Sequence, residues 1–134
     1  MANLLGQQGD GCLVAVIGDE DTVTGFLLTG IGHSDLQRKE SLKNNFFIVN
    51  SKTTQGQIEN AFRTLTRRDD VAILLINQFI ANEIRACIDE YLQMIEGRPA
   101  ALPTVLEIPS KTHPYDLSKD SLMTRVQGML GVRE

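Results

Sequence analysis

The side chains best able to support chemistry form a cluster of carboxylates near the start of the chain. Residues 18–21 read Gly-Asp-Glu-Asp and follow an apolar run at 12–17 that is typical of a strand covered on both faces. Carboxylates in this position can hold Mg²⁺, as in a phospho-accepting receiver domain. Such a domain also needs an aspartate at the end of its third strand, where this sequence has Asn77. Lys111 matches the lysine of a receiver site, but we favour a solvated acidic turn that stabilises a helix N-terminus.

The same turn argues against nucleotide binding. A dinucleotide site places glycines between the first strand and the first helix, so that helix-terminal amides face a pyrophosphate. Three carboxylates at 19–21 would repel that group, and Gly30 and Gly32 follow only after the predicted helix.

The remaining reactive side chains do not form a recognisable site. His33 and His113 are the only histidines, and neither has a ligand partner at a metal-binding spacing, so we interpret both as surface or hinge residues. Cys12 and Cys87 lie in apolar patterns typical of buried thiols in a reducing compartment. No Gly-x-Ser-x-Gly nucleophile turn is present. The sequence therefore predicts a protein without a catalytic site, a cofactor or a bound metal.

Alternating strands and helices position these residues. Short apolar runs predict strands at 12–17, 46–49, 71–76 and 104–108. Apolar residues at helical spacing predict helices at 23–31 (capped by Asp21 or Thr22), at 58–65 after a cap within 51–54, at 80–95, and after Asp116 or Ser118. Such alternation predicts an α/β fold, a small four-stranded and mainly parallel sheet with helices on both faces, flavodoxin-like or Rossmann-like.

The expected organisation is one domain with two appendages. We expect residues 1–11 to be a flexible N-terminal extension, 12–109 the αβ globular domain, and 110–134 a hinge with a C-terminal amphipathic helix. The apolar stripe of that helix consists of Leu122, Val126, Met129 and Leu130, with Arg125 at its polar edge. The pattern alone leaves open whether the stripe covers the sheet or contacts another chain.

Composition and charge exclude several classes of protein. The chain has 134 residues, of which 42% are hydrophobic and 22% charged, which suits the core of one soluble domain. Its net charge of -4 argues against general nucleic-acid binding, which needs a cationic surface. No signal peptide opens the chain, and no apolar run approaches the ~18 residues of a membrane span. We therefore expect any membrane association to occur through partners.

Several segments resemble the F-subunit family of V-type ATPases. The most specific is Leu-Glu-Ile-Pro-Ser-Lys at 106–111, followed by His-Pro-Tyr-Asp at 113–116 and Lys-Asp-Ser at 119–121. Residues 68–81, 25–32 and 46–49 also match, so that the resemblance runs from about residue 13 to residue 131. The departures are the N-terminal extension and a longer connection at 93–102.

The resemblance implies an α/β body with a mobile C-terminal helix and no active site of its own. It also implies a place beside the D subunit in the central stalk, with the A, B and d subunits as further partners, in a rotor that couples ATP hydrolysis to proton transport. The chain would lie at the cytoplasmic face of vacuolar or other endomembranes as part of a peripheral complex, or in the cytosol when the soluble sector is detached.

Two surfaces are candidates for these contacts. We expect Leu122, Arg125, Val126, Met129 and Leu130 to contact a partner, and the turn at Asn77 and Gln78 to be a second contact surface. A receiver-like phospho-signalling domain and a degenerate flavodoxin-like ligand carrier remain as alternatives.

Overall fold

A four-stranded parallel sheet organises the computed structural model, which describes residues 13–31, 44–97 and 103–131. The strands are β1 (Leu13–Gly18), β2 (Phe46–Ile48), β3 (Val71–Asn77) and β4 (Thr104–Ile108), in the order β2-β1-β3-β4. Every pairing is parallel. The predicted fold class is therefore confirmed, and the predicted bounds agree with the observed ones to within a residue at each described strand end.

The helices lie on both faces of the sheet. They are α1 (Glu20–Leu28), α2 (Gln55–Thr66), α3 (Gln78–Glu83), α4 (Arg85–Ile95) and α5 (Ser121–Leu130), with a 3₁₀ turn at Leu117–Lys119. The main core joins one face of the sheet, including Ala15, Leu74 and Val105, to α2, α3 and α4. Val23 of α1 and Val16 are buried outside that cluster. The crossover from β1 to β2 runs along the sheet in the direction opposite to the crossovers from β2 to β3 and from β3 to β4, so that a right-handed connection places α1 on the other face.

Helix caps correct two of the predicted helix starts. Asp19, not Asp21 or Thr22, caps α1, because its carboxylate accepts a hydrogen bond from the Thr22 N–H at 2.7 Å. Asp120, not Asp116 or Ser118, caps α5.

The other two caps agree more closely with the predicted positions. Asp116 caps the preceding 3₁₀ turn through the Ser118 N–H at 3.0 Å. The capping box of Thr54 and Gln57 starts α2 within the predicted range.

The long helix predicted at 80–95 is divided in two. Ile84 leaves the helical region with φ -117° and ψ 30°, so that α3 ends and α4 begins around it. The apolar stripe nevertheless stays buried across the break at Ile80, Ile84, Cys87, Ile88, Tyr91 and Leu92. One non-helical residue therefore interrupts the helix without turning the apolar stripe away from the sheet.

Some predictions fall on residues that the structure does not describe. Outside the described ranges lie the N-terminal extension, Cys12, His33 and the second half of the connection at 93–102, residues 98–102. Within those ranges, no helix has both the length and the apolarity required to cross a membrane.

Candidate functional site

The crevice at the carboxyl ends of β1 and β3 is where an open α/β sheet of this order binds ligands. Asn77 is completely buried there. Its Oδ1 accepts a hydrogen bond from the Asp19 N–H at 2.9 Å, and its Nδ2 donates to the Pro109 carbonyl at 3.2 Å and to Thr22 Oγ1 at 3.3 Å. A carboxamide of the protein therefore fills the crevice and uses a main-chain donor at the start of α1.

Gly18 makes this arrangement possible. A Cβ atom at this position would lie 2.7 Å from Asn77 Oδ1 and 3.2 Å from the Thr22 methyl group. The close approach of the β1 backbone, which in a dinucleotide site serves a pyrophosphate, here serves the Asn77 side chain.

The acidic turn acts as a helix start. Asp19 is the cap, and Glu20 and Asp21 lie in the first turn of α1, where negative charge is favourable. Within residues 13–31, 44–97 and 103–131, no group of three or more His, Cys, Asp or Glu side chains could hold a metal ion. Asn77 occupies the position of a phospho-accepting aspartate, and Lys111 is exposed after β4.

Gln78 is also buried, at 3% exposure, and ties the chain after β4 to the body. Its Oε1 accepts a hydrogen bond from the Asp116 N–H at 2.6 Å, and its Nε2 donates to the Asp116 carbonyl at 2.7 Å. Both side chains therefore make internal hydrogen bonds in the free chain, and the role of Asn77 and Gln78 as a second contact surface stays a prediction.

A network that we call the polar clasp attaches α5 to the body. It consists of Arg85, Asp89, Glu107, Asp120 and Ser121. The Arg85 guanidinium binds the Glu107 carboxylate through two hydrogen bonds, of 2.7 and 2.9 Å, and the Glu107 side chain is 1% exposed. The hydrogen bond to Glu107 raises the pKa of Arg85. The pair is therefore a buried, charge-assisted contact between α4 and β4.

Ser121 connects the polar clasp to the first residue of α5. Its N–H donates to Glu107 Oε2 at 3.2 Å, and its Oγ donates to Asp89 Oδ1 at 2.7 Å while accepting from Arg85 at 2.9 Å. A carboxylate at the start of a helix satisfies free N–H groups and is favoured by the helix dipole. Glu107 therefore holds the N-terminus of α5 against the sheet.

Asp120 completes the polar clasp from the cap position of α5. It is 4% exposed and accepts from the Leu122 N–H at 3.0 Å and the Met123 N–H at 3.4 Å. Its second oxygen accepts a hydrogen bond from the Tyr115 hydroxyl. Burial and this hydrogen bond raise the pKa of Tyr115.

The apolar stripe predicted on α5 is half-buried at its N-terminal end and exposed at its C-terminal end. Leu122 and Val126 are half-buried, whereas Met129 is 85% exposed and Leu130 73% exposed. Arg125 forms an ion pair with Glu96 at 2.7 Å. No residue of α5 is fully buried. Polar contacts at one end thus dominate the attachment of α5, and its apolar C-terminal end projects into solvent.

His113 is an exposed residue, as predicted. Its ring stacks on Phe79 with the ring centres 4.4 Å apart, and its Nδ1 lies 3.2 Å from Ser110 Oγ and 3.0 Å from Thr112 Oγ1. Cys87 is buried and free, and burial raises the pKa of its thiol. These surroundings suit packing and loop structure rather than ligand binding.

Sequence reasoning missed the polar clasp although one signal was available. Glu107 follows Val105 at the spacing of two that places both side chains on the core face of β4. A carboxylate on that face requires a cationic partner. The partner's identity could not be read from the sequence, since Arg85 and Ser121 come from two other segments.

Comparison with known proteins identifies the family. The family model described as "ATP synthase (F/14-kDa) subunit" matches residues 14–126. The V-type proton ATPase F subunit of Dictyostelium discoideum is 56% identical over 119 residues, which cover 89% of this chain and 90% of that protein. The human F subunit is 51% identical over 121 residues, covering 90% and 92%. The chain belongs to the F-subunit family of V-type ATPases. The predicted family is therefore confirmed, and the other subunits of a V-type ATPase are its partners.

A solved structure from the F-subunit family has the same fold. The crystal structure of the F subunit of the V-type ATP synthase from Archaeoglobus fulgidus superimposes with a TM-score of 0.50 at 23% identity, covering 73% of this chain and 98% of that one. At this identity the likeness concerns the fold alone. It agrees with the parallel αβ sheet described above.

Proposed function

We propose that this chain is a non-catalytic subunit of the central stalk of a V-type ATPase, where it pairs with the D subunit and helps to couple ATP hydrolysis to proton transport. The observation that carries the proposal is the exposed apolar end of α5, at Met129 and Leu130. Two large neighbouring apolar side chains at the end of a projecting helix favour contact with another protein. The crevice filled by Asn77 supports the non-catalytic part, because the usual ligand position of this fold is occupied.

The proposed contact surface is the outer part of α5. Met129 and Leu130 form its centre, and Arg125 lies at its polar edge. Leu122 and Val126 are half-buried in the free chain. They become part of the contact surface if the partner covers the whole length of α5. Contacts with the A, B and d subunits, and a position at the cytoplasmic face of vacuolar or other endomembranes, would follow from assembly of the complex.

The test is co-expression with the cognate D subunit, followed by size-exclusion chromatography with mass determination. The wild-type chain should form a one-to-one complex. The double substitution Met129→Glu with Leu130→Glu should weaken that complex by at least about tenfold, as loss of a central apolar contact does. Both residues are exposed, so that the free variant should unfold at the same urea concentration as the wild type.

Leu28→Glu is the matched control. Leu28 is also apolar and 85% exposed, but it lies on α1 rather than α5. Its substitution should leave the complex intact. Separate elution of the two wild-type proteins at micromolar concentration would remove the support for the stalk pair, and equal binding by all three chains would place the contact away from α5.

A further inference from the structure

The outer edge of β2 presents main-chain groups that the sheet does not use. The Val16 N–H donates to the Asn45 carbonyl, and the Val49 N–H donates to the Gly18 carbonyl. Main-chain groups alternate in direction along a strand, so that those of Phe46 and Ile48 point away from β1. β2 is the edge strand, and no described strand lies beyond it. The edge therefore offers two residues for main-chain pairing.

A groove of about 540 Å³ lies between this edge and α2. The side chains of Phe47, Ala61 and Leu65 are among the apolar part of its lining. Its polar lining is rich in carboxamides, including Asn50, Gln57 and Asn60, and Lys52 is the only charged residue among the described residues that line it. Carboxamides both donate to and accept from main-chain groups. The groove thus suits an extended polypeptide, and its single positive charge favours an acidic side chain on that polypeptide.

We propose that an extended, acidic segment of a neighbouring subunit pairs with Phe46 and Ile48 as a fifth strand and fills this groove. Addition of a strand to an open sheet edge is a common mode of protein recognition. The charge of Lys52 selects the acidic segment, since no carboxylate of the described chain lines the groove to repel it. The inference rests on the membership of this chain in a multisubunit complex and not on the contact proposed for α5.

A second copy of this chain is a poorer occupant. Symmetric pairing of two β2 edges would join strands of three residues each, of which only two point outward. It would also leave both grooves open, because an edge strand of one copy supplies no segment to fill the groove of the other.

Hydrogen–deuterium exchange of residues 44–49 tests the proposal, in the free full-length chain and in the assembled ATPase. We expect two more protected amides in the assembled complex, those of Phe46 and Ile48, and fast exchange of both in the free chain. The β2 result is separate from that for α5. Protection at α5 without protection at β2 overturns this inference and leaves the stalk proposal standing. Protection at β2 without protection at α5 supports this inference and counts against the contact proposed for α5.

Two substitutions test the chemistry through competition with the wild-type chain for incorporation into the complex. Ile48→Pro removes an outward N–H and should reduce incorporation about fivefold, the effect of one lost hydrogen bond, whereas Ile48→Val keeps the N–H and should compete equally. Lys52→Glu reverses the charge and should also reduce incorporation, while Lys111→Glu, exposed beyond the opposite edge strand, should not. The Lys52 comparison decides the matter if Ile48→Pro fails to fold.

Three further results would also overturn the inference. Protection of both amides in the free chain at every concentration would show that a segment of the same chain covers the edge. Protection that disappears on dilution of the free chain would identify a second copy. Equal incorporation of Lys52→Glu and Lys111→Glu would show that the occupant is not selected by charge.

Discussion

The buried pair between Arg85 and Glu107 predicts an asymmetric effect of removing either partner. Arg85→Met would leave the Glu107 carboxylate, which is 1% exposed, without its two charge-assisted hydrogen bonds. Breaking a buried pair in this way costs about 3–5 kcal/mol. We expect the lower end, about 3 kcal/mol, because Gln78 and the Ser121 N–H still reach the carboxylate.

Glu107→Gln should be milder. The Arg85 side chain is 24% exposed, so that its guanidinium keeps access to water, and it retains the hydrogen bond to Ser121. We expect a loss of about 1–2 kcal/mol, the cost of weakened hydrogen bonds without a stranded buried charge. The double variant removes both charges and should be more stable than Arg85→Met alone.

Urea unfolding of the four proteins, followed by circular dichroism, measures these free energies as a double-mutant cycle. The expected coupling between the two positions is about 2 kcal/mol, within the range found for residues in contact. The reasoning fails if Arg85→Met is no more destabilising than Glu107→Gln. It also fails if the two effects simply add, since the pair would then be screened by solvent as surface pairs are.

Two further predictions concern close packing and pH. Gly18→Ala should destabilise the chain by about 2 kcal/mol, because the new Cβ would lie 2.7 Å from Asn77 Oδ1. Gly25→Ala lies in open space within α1 and should stabilise the chain by up to about 1 kcal/mol. Urea unfolding of both variants measures these changes, and equal effects would contradict the prediction. Burial raises the pKa of Tyr91 and of Tyr115 in the folded chain, so that their contribution to stability is complete below the ordinary tyrosine pKa of about 10 and is lost as the pH rises above it. Urea midpoints between about pH 8 and 11 should therefore fall, and Tyr115→Phe should reduce the slope; a slope unchanged by that substitution would refute the assignment to Tyr115.

Local patterns sufficed for most of the fold. The strand at 104–108 was predicted with the bounds that the structure has, because Pro109 ends it and apolar residues define it. The break at Ile84 was not predictable from periodicity, since the buried stripe continues through it and a single non-helical residue leaves no compositional mark.

The candidate site was harder to predict because its parts are distant in sequence. The polar clasp joins positions on α4, β4 and α5, and sequence spacing gives no information on which arginine faces Glu107. Asn77 and Gln78 looked like an exposed turn because amide side chains usually lie at the surface. Their burial depends on hydrogen bonds to Pro109 and Asp116, more than thirty residues further along the chain.

The Asn77 side chain also determines which end of the sheet separates first when the chain partially unfolds. At the carboxyl end of the central strands, this one carboxamide cross-links the turn after β1, the first turn of α1 and the chain after β4. At the other end, the pairing of β1 with β3 is already irregular between Leu13 and Val14. Separation of the two strands from the carboxyl end would break three hydrogen bonds of Asn77 together, whereas fraying from the irregular end proceeds one ladder bond at a time. Partial unfolding of the sheet should therefore begin at the amino ends of its strands and reach the carboxyl ends last.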